Sequence, residues 1–119
     1  MQIDRDNSRG RFSAVGRLLP EEASELATSA LAAAGAERVS TLIVDLTAMT
    51  LTRGMSVTEC HNIGERLARA GRGLQKVAFV TGGDCLEAHT FIFTVARNRG
   101  LQVATFGNEP EALRWLQAA

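Results

Sequence analysis

Residues 41–59, TLIVDLTAMTLTRGMSVTE, pass from an apolar run to a helix start. Thr41–Leu46 is short, mostly apolar and β-branched, the composition of a strand covered on both faces. Ser56-x-x-Glu59 is a capping box, in which a serine and a glutamate exchange hydrogen bonds at a helix start. Val57, Cys60, Ile63, Gly64 and Leu67 then keep a helical stripe, which Gly71 and Gly73 end. Between strand and helix, residues 47–55 read as a loop rich in hydroxyls, with one cation at Arg53. A buried strand leading through a loop into an amphipathic helix is half of a βαβ unit, so the sheet is expected to be largely parallel.

The pattern repeats outward from this stretch. Lys76–Val80 is a second buried strand, and Asp84-x-x-Glu87 a second capping box. The helix that follows runs to Arg99, with Ala88, Phe91, Ile92, Val95 and Ala96 expected inward and Gly100 as its stop. Gln102–Phe106 is a further strand, and Asn108-x-x-Glu111 opens a last helix carrying Ala112, Leu113, Trp115 and Leu116. Upstream, Pro20-Glu-Glu22 opens a helix whose stripe of Ala23, Leu26, Ala27, Ala30, Leu31 and Ala34 ends at Gly35. The turn chemistry of Asn7-Ser-Arg-Gly10, between Ile3-Asp4 and Phe12-Ala14-Val15, predicts an antiparallel hairpin. The expectation is one α/β domain over residues 1–119. It has a β-hairpin followed by αβαβαβα, with helices packed on a mixed sheet of four to five strands.

The totals narrow the function classes. Formal net charge is zero in 119 residues, with pI near 6.7. A nucleic-acid or anionic-membrane surface demands surplus Lys and Arg, so neither partner is expected. Arg66, Arg69 and Arg72 recur at helical spacing and read as a solvated helix face. The start, MQIDRDNSRGRF, lacks the apolar run of a signal peptide, and no window approaches 18 apolar residues, so a cytoplasmic location is expected. Cys60 and Cys85 lack metal-ligand spacing, and no metal or cofactor is expected. Thr81-Gly-Gly-Asp84 offers helix N–H groups to an anion, but Asp84 fills that place with its own charge, and no P-loop lysine is present. Cys85 and His89 share a helix face, yet Asp84 opposes thiolate formation. Catalysis would require Cys85, His89 and Asp45 to converge. Asp45 itself reads as a structural acid that fixes the turn after its strand.

With this order in place, the chain resembles the STAS-like family, the fold of bacterial anti-sigma-factor antagonists (SpoIIAA-like). Gly16 followed by Leu19-Pro-Glu-Glu-Ala23 is similar to that family's passage from second strand to first helix. Leu42-Ile-Val-Asp-Leu-Thr47 is similar to its central strand ending. Phe106-Gly-Asn-Glu-Pro-Glu-Ala-Leu-Arg-Trp-Leu116 is similar to the terminal helix of uncharacterised bacterial members. The resemblance spans nearly the whole chain and implies a non-enzymatic regulatory or protein-interaction module. In phosphorylated antagonists the loop after the central strand carries an acceptor serine. Here Arg53, Gly54 and Met55 occupy those places, and Ser56 opens the capping box, where helix N–H groups engage its hydroxyl.

The loop thus keeps the position of a site without its best-known chemistry, and Thr52, Arg53, Gly54, Met55 and Ser56 are expected to form a contact surface. Leu86 and Phe93, seven apart, form a second apolar stripe on their helix. They mark a dimer or ligand surface. The alternative is a small hydrophobic ligand or lipid carrier of CRAL-TRIO-like outline, with a pocket lined by Phe12, Met49, Phe79 and Phe91.

Overall fold

The computed structural model describes residues 1–81 and 86–118, apart from the side chains of residues 86–89. The strands are β1 (Gln2–Asp4), β2 (Arg9–Ser13), β3 (Gly16–Leu18), β4 (Thr41–Asp45), β5 (Met49–Leu51), β6 (Lys76–Val80) and β7 (Val103–Phe106). The helices are α1 (Pro20–Ala36), α2 (Val57–Ala70), α3 (Leu86–Asn98) and α4 (Glu109–Gln117). Five strands form a mixed sheet in the order β1-β2-β4-β6-β7, in which only the β1–β2 pair is antiparallel. The hairpin and the parallel βα units are therefore as expected, except that the hairpin's turn falls at residues 5–8, so Arg9 and Gly10 belong to β2, which ends at Ser13 before Ala14 and Val15.

The central strands are apolar in their middle residues, as expected where both faces of the sheet are covered. Leu42, Val44, Val77, Phe79 and Val103 face α1, α2 and α3. There Leu31, Leu67, Ile92, Phe93 and a row of alanines close the larger core, and Phe79 meets Phe93 with ring centroids 4.7 Å apart. Ile43, Ala78 and Val80 point the other way, onto Ala112 and Leu116 of α4. Each large apolar side chain buried fully in this way contributes about 1.5–3 kcal/mol. Gly64 lets α2 settle onto α3, since a Cβ there would lie 2.6 Å from the Ile92 carbonyl oxygen and 2.7 Å from Val95 Cβ. Lys76 latches α4 from β6. Its Nζ donates to the carbonyls of Trp115 (2.7 Å) and Ala118 (2.8 Å) and sits 5.0 Å from the Trp115 ring centroid.

Three expectations are corrected. First, the stretch after β4 is not all loop. Met49–Leu51 is a strand that pairs in parallel with Gly16–Leu18 to make a separate two-stranded sheet. Second, α1 passes through Gly35 and is capped by Glu37, and the left-handed residue beyond it is Arg38, at φ 59°. Its N–H bonds the Gly35 carbonyl, a turn that needs no glycine. Third, α3 is rotated relative to the expected phase: Phe93 is buried at 3% exposure and Phe91 stands out at 41%. The two are about 200° apart on a helix, so the core takes one or the other. Phe93 wins because it reaches Phe79.

Candidate functional site

At the carboxyl end of β4, Asp45 sets the path of the chain. Its Oδ1 accepts from the Thr47 N–H (2.9 Å) and the Thr47 hydroxyl (2.6 Å), and its Oδ2 accepts from Arg11 at 3.1 Å. Partial burial alone would raise its pKa. The two Thr47 hydrogen bonds and the Arg11 charge outweigh that, holding the carboxyl below its ordinary value. Arg11 Nε also donates to Glu109 Oε1 at 2.6 Å, joining β2 to the first turn of α4. Asp45 therefore works as a turn-fixing acid with all its contacts inside the fold.

Beyond this turn, the Gly16 N–H donates to the Ala48 carbonyl, and the Thr52 N–H to the Leu18 carbonyl. These bonds bracket the β3–β5 pair. Alternation along β5 buries Met49, half-buries Leu51 and exposes Thr50. Thr52, Arg53 and Gly54 are exposed, Met55 tucks against the larger core, and Ser56 caps α2. The Ser56 hydroxyl accepts from the Glu59 N–H at 3.1 Å, and Glu59 Oε1 accepts from the Ser56 N–H at 3.0 Å. The capping box read from the sequence is thus formed.

The role of Arg53 emerges only in the folded chain. Its guanidinium meets Glu59 through two nitrogens, at 3.0 and 2.8 Å, donates to Glu21 at 2.7 Å and bonds the Gly54 carbonyl at 3.0 Å. One side chain thus ties the first turns of α1 and α2 together and folds the loop back on itself. Bidentate pairs of this kind are the geometrically selective form of the arginine–carboxylate contact. Arg53, followed by the Ser56 N–H, holds the Glu59 carboxyl down at about 2. Glu21 is also lowered, first by its own backbone N–H and then by Arg53, and the two carboxylates raise the guanidinium above its ordinary value. Each helix start that the clamp joins also carries an apolar side chain in solvent: Leu19, before α1, at 45% exposure, and Val57, the first residue of α2, at 75%.

Behind the loop lies an apolar cleft of about 50 Å³. Met49, Leu51 and Met55 wall it from the loop side, Phe79 and Phe93 from the core side, and Ser24 from α1. The Ser24 hydroxyl is buried and has no hydrogen-bond partner among the described residues. Of the residues expected to line a pocket, Met49 and Phe79 are here, Phe91 is exposed, and Phe12 packs at the margin of the core. Phe93, read as a surface stripe, is a wall of this cleft. The side chain of Leu86, its expected partner, lies outside the described residues, as do Cys85 and the His89 side chain.

The thiol chemistry left to consider is that of Cys60. Burial and then the Glu59 charge push its pKa up, which disfavours the thiolate a nucleophile needs. Among the described residues, no group of three or more His, Cys, Asp and Glu side chains is disposed to hold a metal ion. No described helix is long and apolar enough to cross a membrane. Compared with family models, with curated proteins and with solved structures, the chain finds no match, so its geometry and its own motifs carry the functional reading.

Proposed function

We propose that the chain is a STAS-like, non-enzymatic interaction module of the bacterial cytoplasm. Its contact surface is the Thr52–Ser56 loop together with the start of α2. The observation that carries this reading is the Arg53 clamp, which joins two helix starts that each carry an exposed apolar residue, Leu19 and Val57. An arginine among apolar side chains, already ordered before contact, has the composition of an interface centre and loses little entropy on docking. The Ser56 hydroxyl is engaged by the helix it caps, and the neighbouring Arg53, Gly54 and Met55 carry no hydroxyl. The contact is therefore constitutive rather than switched by phosphate on that serine. The occupant is a protein partner or a second copy of the chain.

Chemical cross-linking in the native host, compared between the wild-type chain and Arg53→Glu and Val57→Asp variants, tests the reading. A partner or dimer captured by the wild type and lost from both variants is the expected result. Capture unchanged by both substitutions, or none at all, overturns it.

A second reading, a carrier or sensor of a small hydrophobic ligand, draws on the apolar cleft and the unpartnered Ser24 hydroxyl inside it. Sites for small molecules usually enclose about 300–1,000 Å³. A cleft of about 50 Å³ would have to open by displacing Met49 or Met55 before it held such a ligand. Native mass spectrometry of freshly purified protein separates the two readings, since a carrier retains extra mass and an interaction module does not.

A further inference from the structure

Arg69, Arg72 and Arg99 converge with Glu65 and Ala68 around a polar cleft of about 210 Å³, at the end of the molecule where α2 and α3 finish. The charges there do not balance. Glu65 is the one carboxylate in the lining. One of its oxygens lies 3.2 Å from an Arg99 nitrogen, and the other lies 3.2 Å from His61 Nδ1. Among the described residues, the guanidinium groups of Arg69 and Arg72 have no hydrogen-bond or ion-pair partner. The negative end of a helix dipole accounts for a cation in the last turn of α2. It does not account for Arg72 and Arg99, which lie beyond the helices and turn into the same concavity. Arg97, in the last turn of α3, is spent differently, donating to the Val103 carbonyl at 3.3 Å.

A concave surface focuses the field of the charges that line it, and a guanidinium fork matches phosphoryl oxygens in pairs. Two uncompensated cations fit a dianion better than a single carboxylate. The small Ala68, itself buried, leaves the centre of the cleft open. We propose that this cleft is a binding site for a phosphate dianion, free or as the monoester of a small molecule. Arg69 and Arg72 hold the phosphoryl oxygens, and Arg99 is shared between the ligand and Glu65. The site is separate from the Thr52–Ser56 surface and does not depend on it.

Titration of the isotopically labelled intact chain with inorganic phosphate and with free O-phosphoserine, followed by amide NMR, tests the proposal, with acetate as the control anion. Saturable shifts confined to residues 65–72 and 97–100 are expected. Arg69→Ala combined with Arg72→Ala should weaken binding at least about tenfold, the loss of two charge-assisted hydrogen-bonding groups. Glu65→Gln should tighten it, a gain that misfolding cannot imitate. Tighter binding of phosphoserine assigns the site to a monoester, and tighter binding of phosphate assigns it to the free ion. Shifts that never saturate, acetate binding as well as phosphate, or a Glu65→Gln chain that binds more weakly each overturn the proposal.

Discussion

Toward the carboxyl end of the sheet, Arg53 is shared between Glu21 and Glu59, and Arg11 between Asp45 and Glu109. At the opposite end a single carboxylate, Glu65, stands among Arg69, Arg72 and Arg99. The net charge of zero conceals this asymmetry. Where arginines are matched by acids, they organise the fold, fixing helix starts and the turn after β4. Where they outnumber acids, they are left for something outside the fold. Charge balance within a cluster, rather than over the chain, separates structural arginines from available ones.

The two ends are joined by α2, which carries Glu59 at its start and Glu65 and Arg69 near its finish. Gly64→Val is therefore the substitution that disturbs both. Helix propensity favours almost any side chain over glycine by up to about 1 kcal/mol. Even so, forcing α2 away from the Ile92 carbonyl should cost about 3 kcal/mol in urea unfolding. A variant as stable as the wild type would mean that the helices do not meet as closely as described. The matched end alone is probed by Asp45→Asn, which keeps the shape and removes the charge that Arg11 and Thr47 share. A loss of about 1–2 kcal/mol is expected by the same measurement.

The Arg53 clamp has a signature in pH. The Glu59 carboxyl titrates at about 2 rather than near its ordinary 4.5. Its contribution to stability is complete above the ordinary value and is lost as pH falls toward 2. In Arg53→Met the Glu59 midpoint, followed by carboxyl NMR, should move up toward the ordinary range. It should stop short of it, because the Ser56 N–H still donates. A midpoint that stays at about 2 would show that the arginine does not govern this acid. The smallest effect is expected at the unmatched end. Glu65→Gln breaks a half-exposed pair and should change stability by no more than about 0.5 kcal/mol. A larger loss would make that cluster structural too and erase the contrast between the ends.

Much of the scaffold was legible in the residues themselves. Strands buried on both faces carry short unbroken apolar runs, and Leu42–Val44 within Thr41–Leu46 and Val77–Val80 within Lys76–Val80 have that character. The Ser56-x-x-Glu59 box marked the start of α2 to the residue. The β3–β5 pair was hidden because three-residue segments such as Gly-Arg-Leu and Met-Thr-Leu carry almost no periodic signal. The phase of α3 was ambiguous because Phe91, Ile92 and Phe93 are all apolar, and only contact with Phe79 selects among them. In the sequence Arg53 is a lone cation in a hydroxyl-rich loop. Its partner Glu21 lies 32 positions away, a proximity that only the docking of α1 beside α2 creates. The helical spacing of Arg69 and Arg72 was visible and read as a solvated face. The arrival of Arg99 from the turn after α3 makes a cleft there.

Lys76 is the only lysine in the sequence, and its amine is committed to holding the end of α4. Acylation of that amine would remove a charge from above the Trp115 ring and two donors from the helix end in one step. The same side chain is a built-in probe. Lys76 is half-buried and its amine is tied to two carbonyls, so an amine-directed reagent should label it faster when α4 lifts, and the rate of labelling follows the loosening of that helix.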